Sequence, residues 1–221
     1  ASASSNAPRL HFIDYNTANP ATPFAFCMLL RKHLSGGRIV AIDQKDCERI
    51  IEISFETLNE LGFTLGKKLI FEIMGKHSNI LLVDKSSNKI LEVIKHIGFS
   101  QNSYRTLLPG ATYIAPPSTE ALNPFTIKDE KLFEILQTQE LTAKNLQSLF
   151  QGLGRDTAIE LENLLTDDRL SNFRDFFKQE TNPCLTDKSF SCVSFSTKIE
   201  GHFSSLSQLL DIYYKDKAER D

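Results

Sequence analysis

The sequence changes character at Pro116-Pro117, and this change limits the folds that the chain can adopt. Before the two prolines, short segments rich in isoleucine, leucine and phenylalanine alternate with turn residues, which predicts a sheet of short strands. After them, apolar residues recur three and four positions apart, which predicts amphipathic helices. The sequence therefore predicts an α+β chain with a β-domain at residues 1–118 and a mainly helical domain at residues 119–221.

The predicted elements follow the chain in that order. The strands are Arg9–Tyr15, Arg38–Asp43, Arg49–Phe55, Lys68–Met74, Asn79–Asp84 and Ile90–Ile97. The helices after the prolines are Ile127–Gln137, Ala143–Phe150, Arg155–Leu165, Arg169–Lys178 and Leu206–Tyr214. Between the last two helices, Cys184–Leu185 and Val193–Ser196 predict a small hairpin.

One helix is expected inside the β-rich part, at Pro23–Leu34. Thr22 is a suitable N-cap, because its hydroxyl can accept a hydrogen bond from the first turn and Pro23 fits that turn. The segment is apolar on nearly every face, so we expect most of it to be buried. Gly36-Gly37 ends it, because glycine readily adopts the left-handed conformation at a helix C-terminus.

The composition is that of an ordinary folded protein, with 41% hydrophobic residues. No apolar run reaches membrane-spanning length, and no basic segment followed by a long apolar one marks a secretory signal. We therefore predict no membrane insertion and a cytoplasmic location. Cys27, Cys47, Cys184 and Cys192 lack metal-site spacing, so we expect free thiols and no metal or cofactor.

Charge is unevenly distributed along the chain. The net charge is −3, from 25 lysines and arginines against 28 aspartates and glutamates. Basic side chains nevertheless outnumber acidic ones in residues 1–118, and the reverse holds in residues 119–221. A polyanion would therefore meet the first part through a local patch, although ordinary charge scatter gives the same distribution.

A polar loop joins two of the predicted strands. Gly75 permits a tight connection, and Lys76, His77 and Asn79 supply donors suited to phosphate or ribose. The alternative is a hairpin turn whose polar residues are simply solvated.

Three other motifs carry related chemistry. Tyr104 can stack on a base while Arg105 holds a phosphate, although such a pair also packs loops onto sheets. Gly152 and Gly154 separate two predicted helices, as in a helix-hairpin-helix whose backbone N–H groups hold a phosphate; a plain helix–helix connection is equally compatible. Glu48-Arg49 begins a strand and can position an amine and a phosphate, but taken alone the pair is unremarkable.

Enzyme motifs are missing from the sequence. It contains no Walker loop, nucleophile elbow, dinucleotide-binding glycine motif or zinc-protease motif. We therefore expect a binding protein rather than an enzyme.

Taken in order, these segments resemble the NFACT family, which includes the bacterial ribosome quality-control factor RqcH and fibronectin-binding protein A. Phe24–Gly37, Glu72–Ile80 and Asn102–Gly110 are similar to the family's helix motif, its EIMG[RK]HSNI motif and its NSYR…LPG segment. Phe203–Ser207 and Lys217–Asp221 resemble the segment that leads into the family's coiled coil. The similarity runs essentially from end to end.

The resemblance implies a fold. The NFACT N-terminal region is similar to the N-terminal domain of the DNA glycosylase MutM, a β-sandwich, followed by a helix-hairpin-helix region. Ser2–Phe12 resembles an internal strand of that domain, so the opening strands would be absent and a sheet edge exposed. Glycosylase chemistry is not expected, because MutM's N-terminal proline and neighbouring acid would lie outside this chain.

The resemblance also implies a function. RqcH-like members bind the large ribosomal subunit carrying an obstructed peptidyl-tRNA, recruit alanyl-tRNA and support alanine tailing of the stalled chain. The family's Asp-Arg signature for tRNA falls on Glu48-Arg49 here, with an acid one methylene longer. The implied tRNA-binding residues are Glu48, Arg49, Lys76, His77, Asn79, Tyr104 and Arg105.

The family's older name implies a second function, that of a fibronectin-binding adhesin on a Gram-positive cell surface. The sequence contains no fibronectin-binding repeats, so this expectation rests on the resemblance alone. Export would proceed without a signal peptide. The two functions can coexist in one protein.

Overall fold

The structure is a computed structural model that describes residues 1–14, 20–118, 120–186, 189–196 and 199–220, with side chains as far as residue 215. The chain divides into two compact units, residues 1–10 with 15–118 and residues 11–14 with 119–221. Six α-helices and two antiparallel sheets form among the described residues, so the α+β class is confirmed.

The first unit is built on a five-stranded antiparallel sheet. Its strands are β1 (Arg38–Gln44), β2 (Ile50–Leu58), β3 (Thr64–Glu72), β4 (Asn79–Asp84) and β5 (Ile90–Val93). Strands that follow one another in the chain are neighbours in the sheet, because short turns can join antiparallel strands. The five predicted strands between residues 38 and 97 are confirmed, although β5 ends at Val93 and only an Ile97–Leu107 bridge follows it.

Both faces of the central strands are covered. On one face, Phe71 and Leu82 pack with Phe26 and Leu30 of the helix α1 (Ala25–Leu34). The core on the other face consists of Ile50, Ile70, Leu81, Val83, Ile90, Val93, Leu107 and Tyr113. A strand that is covered on both faces buries every one of its side chains. Its apolar residues are therefore consecutive, as in Ile80–Val83 of β4.

The predicted helix at Pro23–Leu34 forms, but its start and its burial differ from the prediction. It begins at Ala25 with Phe24 as the N-cap residue, so Thr22 does not cap it. None of its residues is buried, and Met28 is 51% exposed. The reason is that α1 packs one flank on the sheet, whereas its other apolar side chains receive no cover from the described residues.

The strand β1 lies at an edge of the sheet and, among the described residues, pairs with β2 alone. Ile39, Val40 and Ile42 are exposed on it. The MutM-like sandwich needs a second sheet against this one, and the described part of the first unit forms a single sheet. The sandwich therefore stays an expectation.

The predicted strand at Arg9–Tyr15 is wrong for the residues that the structure describes; Tyr15 lies outside them. Arg9 forms only an isolated bridge with Ser2. Residues 11–14 belong to the second unit, where His11 Nδ1 lies 3.4 Å from Asp211 Oδ1 and Phe12 N–H donates to Ser207 Oγ at 3.1 Å. Contacts distant in sequence thus decide the conformation of this segment.

The second unit is mainly helical, and its four predicted central helices are confirmed within two residues at each end. They are α2 (Asp129–Thr138), α3 (Ala143–Leu149), α4 (Arg155–Leu164) and α5 (Arg169–Lys178). They pack around an apolar core, and Leu132, Leu136, Leu146, Phe150, Leu161 and Phe173 form the centre of this core. Thr142 Oγ1 caps α3 by accepting from Asn145 N–H at 3.3 Å.

The small sheet of the second unit differs from the predicted hairpin. β6 (Cys184–Thr186) pairs with β7 (Phe190–Ser191) and with β8 (Ile199–His202), and the sequence predicts neither of these two partner strands. Residues 193–196 form no strand, because Glu160 of α4 accepts from the Ser196 N–H and hydroxyl at 2.7 and 2.8 Å. The helix α6 (Leu206–Arg220) extends past the predicted end at Tyr214.

All four cysteines are free, as predicted. In the described ranges, no helix is long and apolar enough to cross a membrane. Those same ranges contain no group of three or more histidine, cysteine, aspartate or glutamate side chains placed to hold a metal ion.

The turn after β4 is anchored by Asp84. Its Oδ1 accepts from Lys67 Nζ at 2.7 Å, and its Oδ2 accepts from the Ser86 and Ser87 hydroxyls at 2.5 and 2.8 Å. The Ser87 backbone N–H adds a bond at 3.0 Å. These bonds, above all that from Lys67, hold the pKa of Asp84 well below its usual range.

Replacing Asp84 with asparagine should therefore remove a stabilisation that depends on pH. A carboxyl with a depressed folded pKa stabilises the fold above its unfolded pKa, about 3.9, and loses this contribution as the pH falls toward the folded value. We expect Asp84→Asn to lower the free energy of unfolding by about 1.5–3 kcal/mol at pH 7, with the difference shrinking progressively below about pH 4. Urea denaturation at pH 7, 3 and 2 measures it.

The control is Asp43→Asn, an exposed carboxylate on β1 without a hydrogen bond or ion pair to another described residue. It should change stability little at any pH. An equal loss for Asp84→Asn at pH 7 and pH 2 would contradict the prediction.

Candidate nucleic-acid interface

The predicted binding residues of the first unit are far apart in sequence, yet most of them gather at one end of its sheet. In the antiparallel order, β1, β3 and β5 end where β2 and β4 begin. The register places Glu72, the last residue of β3, opposite Ile50 of β2 and Asn79 of β4. Glu48-Arg49 and the turn Gly75–His77 therefore lie at the same end of the sheet, which we call the Arg49 end.

Hydrogen bonds fix the chain around Arg49. Ile73 N–H donates to the Arg49 carbonyl at 2.9 Å, which extends the pairing of β2 with β3. Gln44 Nε2 donates to the Glu48 carbonyl at 2.8 Å and closes the turn from β1. Asp46 in that turn has a φ of 48°, in the left-handed region that aspartate tolerates better than most residues. The position of Arg49 is thus set by backbone contacts.

The polar loop predicted between β3 and β4 is one 3-10 turn, Gly75–His77. His77 N–H donates to the Met74 carbonyl at 3.1 Å, and Ser78 Oγ accepts from Met74 N–H at 2.8 Å. Gly75 has a φ of 56°, a conformation that favours glycine. The turn leaves Lys76 and His77 exposed.

Four of the predicted residues have side chains without a polar partner in the part of the chain that the structure describes. Arg49, Lys76 and His77 are exposed and Glu48 is half-buried. None of the four side chains makes a hydrogen bond or an ion pair with another residue in the described part of the chain. Glu48 and Arg49 do not pair with each other, so their charges remain available to a ligand.

Asn79 is buried, with 1% of the residue exposed. Its Nδ2 donates to the Lys95 carbonyl at 2.9 Å, and its Oδ1 accepts from the N–H groups of Lys95 and Ile80, both at 3.0 Å. Asn79 thus ties the start of β4 to the segment after β5. Its geometry supports a positioning role, because these bonds already occupy its amide.

Arg105 is internal as well. Its Nη1 and Nη2 donate to the two carboxylate oxygens of Glu72 at 2.6 and 2.7 Å, and Nη1 also donates to the Ile114 carbonyl at 3.0 Å. The side chains of Arg105 and Glu72 are 7% and 0% exposed. For Arg105 the geometry therefore favours the alternative interpretation, in which the pair packs a loop onto the sheet.

Two tyrosines are related to this ion pair, one by a direct contact and one by its place in the chain. Tyr113 donates its hydroxyl to Glu72 at 3.0 Å. Burial, followed by the negative charge of Glu72, raises the pKa of Tyr113 well above its usual range, so this tyrosine remains a neutral donor. Tyr104, adjacent to Arg105 in the chain, is 55% exposed, and its ring is available for stacking.

Lys95 belongs to the Arg49 end, although no sequence motif selects it. Its main chain is bonded to Asn79, and its Nζ is buried without a hydrogen-bond partner among the described residues. An unpaired buried ammonium group is unfavourable, and a nearby anion would offset part of that cost. Only the strand register, which local sequence does not reveal, brings Lys95 to this end.

The predicted phosphate-binding hairpin lies in the second unit, between α3 and α4. Gly152 has a φ of 76°, and Gly154 is the N-cap residue of α4, where no side chain caps the helix. The first-turn N–H groups therefore lack a side-chain acceptor, while Asp156 adds a negative charge to that turn. A phosphate contact at Gly152 and Gly154 stays a prediction.

Comparisons with known proteins agree with the resemblance. A family model described as NFACT N-terminal and middle domains matches residues 1–221. The chain is 67% identical over 213 residues to "Rqc2 homolog RqcH" of Streptococcus pneumoniae serotype 2, which covers 96% of this chain and 39% of that protein. It is 36% identical over 235 residues to "Rqc2 homolog RqcH" of Bacillus subtilis, which covers 100% of this chain and 41% of that protein.

A solved structure is similar as well. The N-terminal part of the fibronectin/fibrinogen-binding protein from Streptococcus suis superposes with a TM-score of 0.92 at 58% identity, over 97% of this chain and 81% of that chain. The chain spans about two fifths of the length of the curated relatives that it matches.

Removing the guanidinium of Arg105 should destabilise the first unit strongly. Arg105→Ala leaves the carboxylate of Glu72 buried without its cation, a loss of about 3–5 kcal/mol in the free energy of unfolding. Urea denaturation measures the loss. The matched control is Arg38→Ala, whose ion pair with Glu56 is exposed and should contribute below about 1 kcal/mol. Equal losses for the two variants would show that the buried pair does not support the fold.

Proposed function

The chain belongs to the NFACT family, and we propose that it is the tRNA- and large-subunit-binding module of a ribosome quality-control factor. The observation that carries the proposal is the Arg49 end of the sheet. There the fold gathers Arg49, Lys76 and His77 from separate motifs, and their side chains have no hydrogen-bond or ion-pair partner among the described residues. The relatives called RqcH in pneumococcus and Bacillus subtilis support the ribosomal context.

In this proposal each exposed residue contacts a different chemical group of the RNA. Arg49 and Lys76 bind phosphates, because unpaired cations attract the polyanion and release its counterions. His77 donates to a phosphate or a ribose. Glu48 accepts a hydrogen bond from an amino group of the RNA. Tyr104 stacks on an exposed base.

The buried residues of the predicted set act through these contacts. Asn79 fixes the segment beside the turn that carries Lys76 and His77. Arg105 anchors the segment that carries Tyr104 to Glu72 at the end of β3. The hairpin at Gly152 and Gly154 contributes a further backbone contact with a phosphate in the second unit.

The wider role concerns the whole protein, of which this chain is a part. We propose that the full-length factor acts in the cytoplasm on large ribosomal subunits carrying an obstructed peptidyl-tRNA. Alanyl-tRNA is the proposed ligand, and alanine tailing of the stalled chain the proposed outcome. The module contributes binding and orientation, and we propose no catalytic step for it.

Binding of tRNA to the full chain tests this assignment. Arg49→Ala and Lys76→Ala should each weaken binding at low salt, and each should reduce the slope of log affinity against log salt by about 1, the contribution of one phosphate contact. Fluorescence anisotropy with labelled alanine tRNA over a series of salt concentrations gives both quantities.

The matched control is Lys89→Ala, which removes an exposed lysine at the opposite end of the same sheet. It should leave the affinity and the slope nearly unchanged. The proposed site is wrong if Arg49→Ala binds tRNA as tightly as the natural sequence does, or if all three variants lose the same affinity.

A second candidate function is fibronectin binding at the cell surface, reached without a signal peptide. Its support is the similarity to the structure of the fibronectin/fibrinogen-binding protein of Streptococcus suis. Surface plasmon resonance with immobilised fibronectin tests it. Saturable binding by the folded chain is the expected result, and its absence would remove this candidate without affecting the tRNA proposal.

A further inference from the structure

An apolar cavity of about 440 Å³ opens in the first unit between the start of α1 and the end of β5. Its apolar walls include Phe24, Phe26, Val93 and Ile94, and its polar groups are Glu92 and His96. Volume and lining are typical of pockets that hold a small organic group in an apolar setting with few polar contacts. None of the predicted tRNA-binding residues lines this cavity.

The polar wall of the cavity offers one free acceptor. Glu92 Oε1 accepts from His96 Nε2 at 2.8 Å and from Val93 N–H at 2.9 Å. Burial by itself raises the pKa of Glu92, but these two bonds outweigh it and hold the pKa below its usual range. Glu92 is therefore a carboxylate, and its Oε2 makes no hydrogen bond with another described residue.

An aromatic ring stands at the mouth of the cavity. Phe24 lines the cavity and is 76% exposed, so its ring is accessible to a ligand that enters from solvent. It is also the N-cap residue of α1 and provides no side-chain acceptor for the first helical turn, so backbone N–H groups face the same region uncapped. An aromatic face beside polar donors and an acceptor suits a flat heterocycle better than an aliphatic ligand.

The cavity lies beside the same end of the sheet as Arg49. β5 ends at that end of the sheet, and its last residue, Val93, lines the cavity. Asn79 binds both main-chain groups of Lys95, which lies between the lining residues Ile94 and His96. Asn79 also begins β4, directly after the turn that exposes Lys76 and His77, so one buried amide connects the cavity wall to the cationic turn.

We propose that the cavity receives one unstacked nucleobase with an exocyclic amino group, from the RNA strand whose phosphates lie along the Arg49 end. The inference rests on the proposed RNA-binding function and assigns it a base-binding subsite. The base stacks on Phe24, and its amino group donates to Glu92 Oε2. Adenine, cytosine and guanine carry such an amino group, whereas uracil presents a carbonyl oxygen at the corresponding position of cytosine.

The test compares single-stranded oligo(C) and oligo(U) of equal length, binding to the full chain at low salt by anisotropy. The natural sequence should prefer oligo(C) by about 10-fold, the effect expected of one hydrogen bond to a charged acceptor. Phe24→Ala should weaken both by about 10-fold through lost stacking. Glu92→Gln should abolish the preference, because its amide no longer provides a charged acceptor.

Two controls make the outcome specific. Met28→Ala removes another exposed apolar side chain of α1 that does not line the cavity, and it should leave both affinities unchanged. Cytidine monophosphate should displace oligo(C) only at far higher concentration, because it lacks the phosphates along the Arg49 end. Displacement at equal concentration would overturn the assignment to a polynucleotide.

The same variants also distinguish a failure of this inference from a failure of the proposed function. Arg49→Ala should weaken oligo(C) and oligo(U) equally. If it does so while Phe24→Ala and Glu92→Gln change nothing, the cavity does not bind a base and the inference is overturned. If Arg49→Ala changes nothing while Phe24→Ala and Glu92→Gln act as expected, the subsite is supported and the proposed phosphate contact at Arg49 fails.

Discussion

The buried ion pair between Glu72 and Arg105 fixes the frame on which the candidate interface depends. Glu72 ends β3 and lies opposite the first residues of β2 and β4, so its position marks where β3 ends and both neighbours begin. Arg105 and Tyr113 satisfy its carboxylate from the segment that covers one face of the sheet. A fully buried carboxylate is tolerated only when such partners satisfy it. The pairing therefore holds the covering segment against the sheet.

The interface is a consequence of this frame and of the antiparallel order. Residues that the chain separates by some thirty positions, such as Arg49 and Lys76, emerge at one end because alternate strands end there. Asn79 holds Lys95 at the same end of the sheet, because its side-chain amide binds the main chain of Lys95. The predicted binding residues thus fall into an exposed set and a buried set, and both sets occur within the same short motifs.

The net charge of the chain does not reveal whether such a surface can attract a polyanion. The chain is acidic overall, at −3, and carboxylates such as Asp46 lie close to the Arg49 end. What matters is whether a cation is already paired. Lys67 is paired with Asp84 and Arg105 with Glu72, whereas Arg49 and Lys76 have no such partner among the described residues. In the proposed function, affinity for RNA therefore comes from the unpaired cations, and salt weakens it accordingly.

The sequence by itself determined the α+β class, the five short strands, the four central helices and the polar turn at Lys76 and His77, because hydrophobic periodicity and turn residues are local signals. It did not determine that Asn79 and Arg105 are buried, that Ser196 binds Glu160, or that Lys95 and the cavity beside Phe24 adjoin the cationic end. Tertiary structure decided these points. A polar side chain looks the same in sequence whether it meets solvent or a distant buried partner, and only the strand register and the packing of the covering segment distinguish the two.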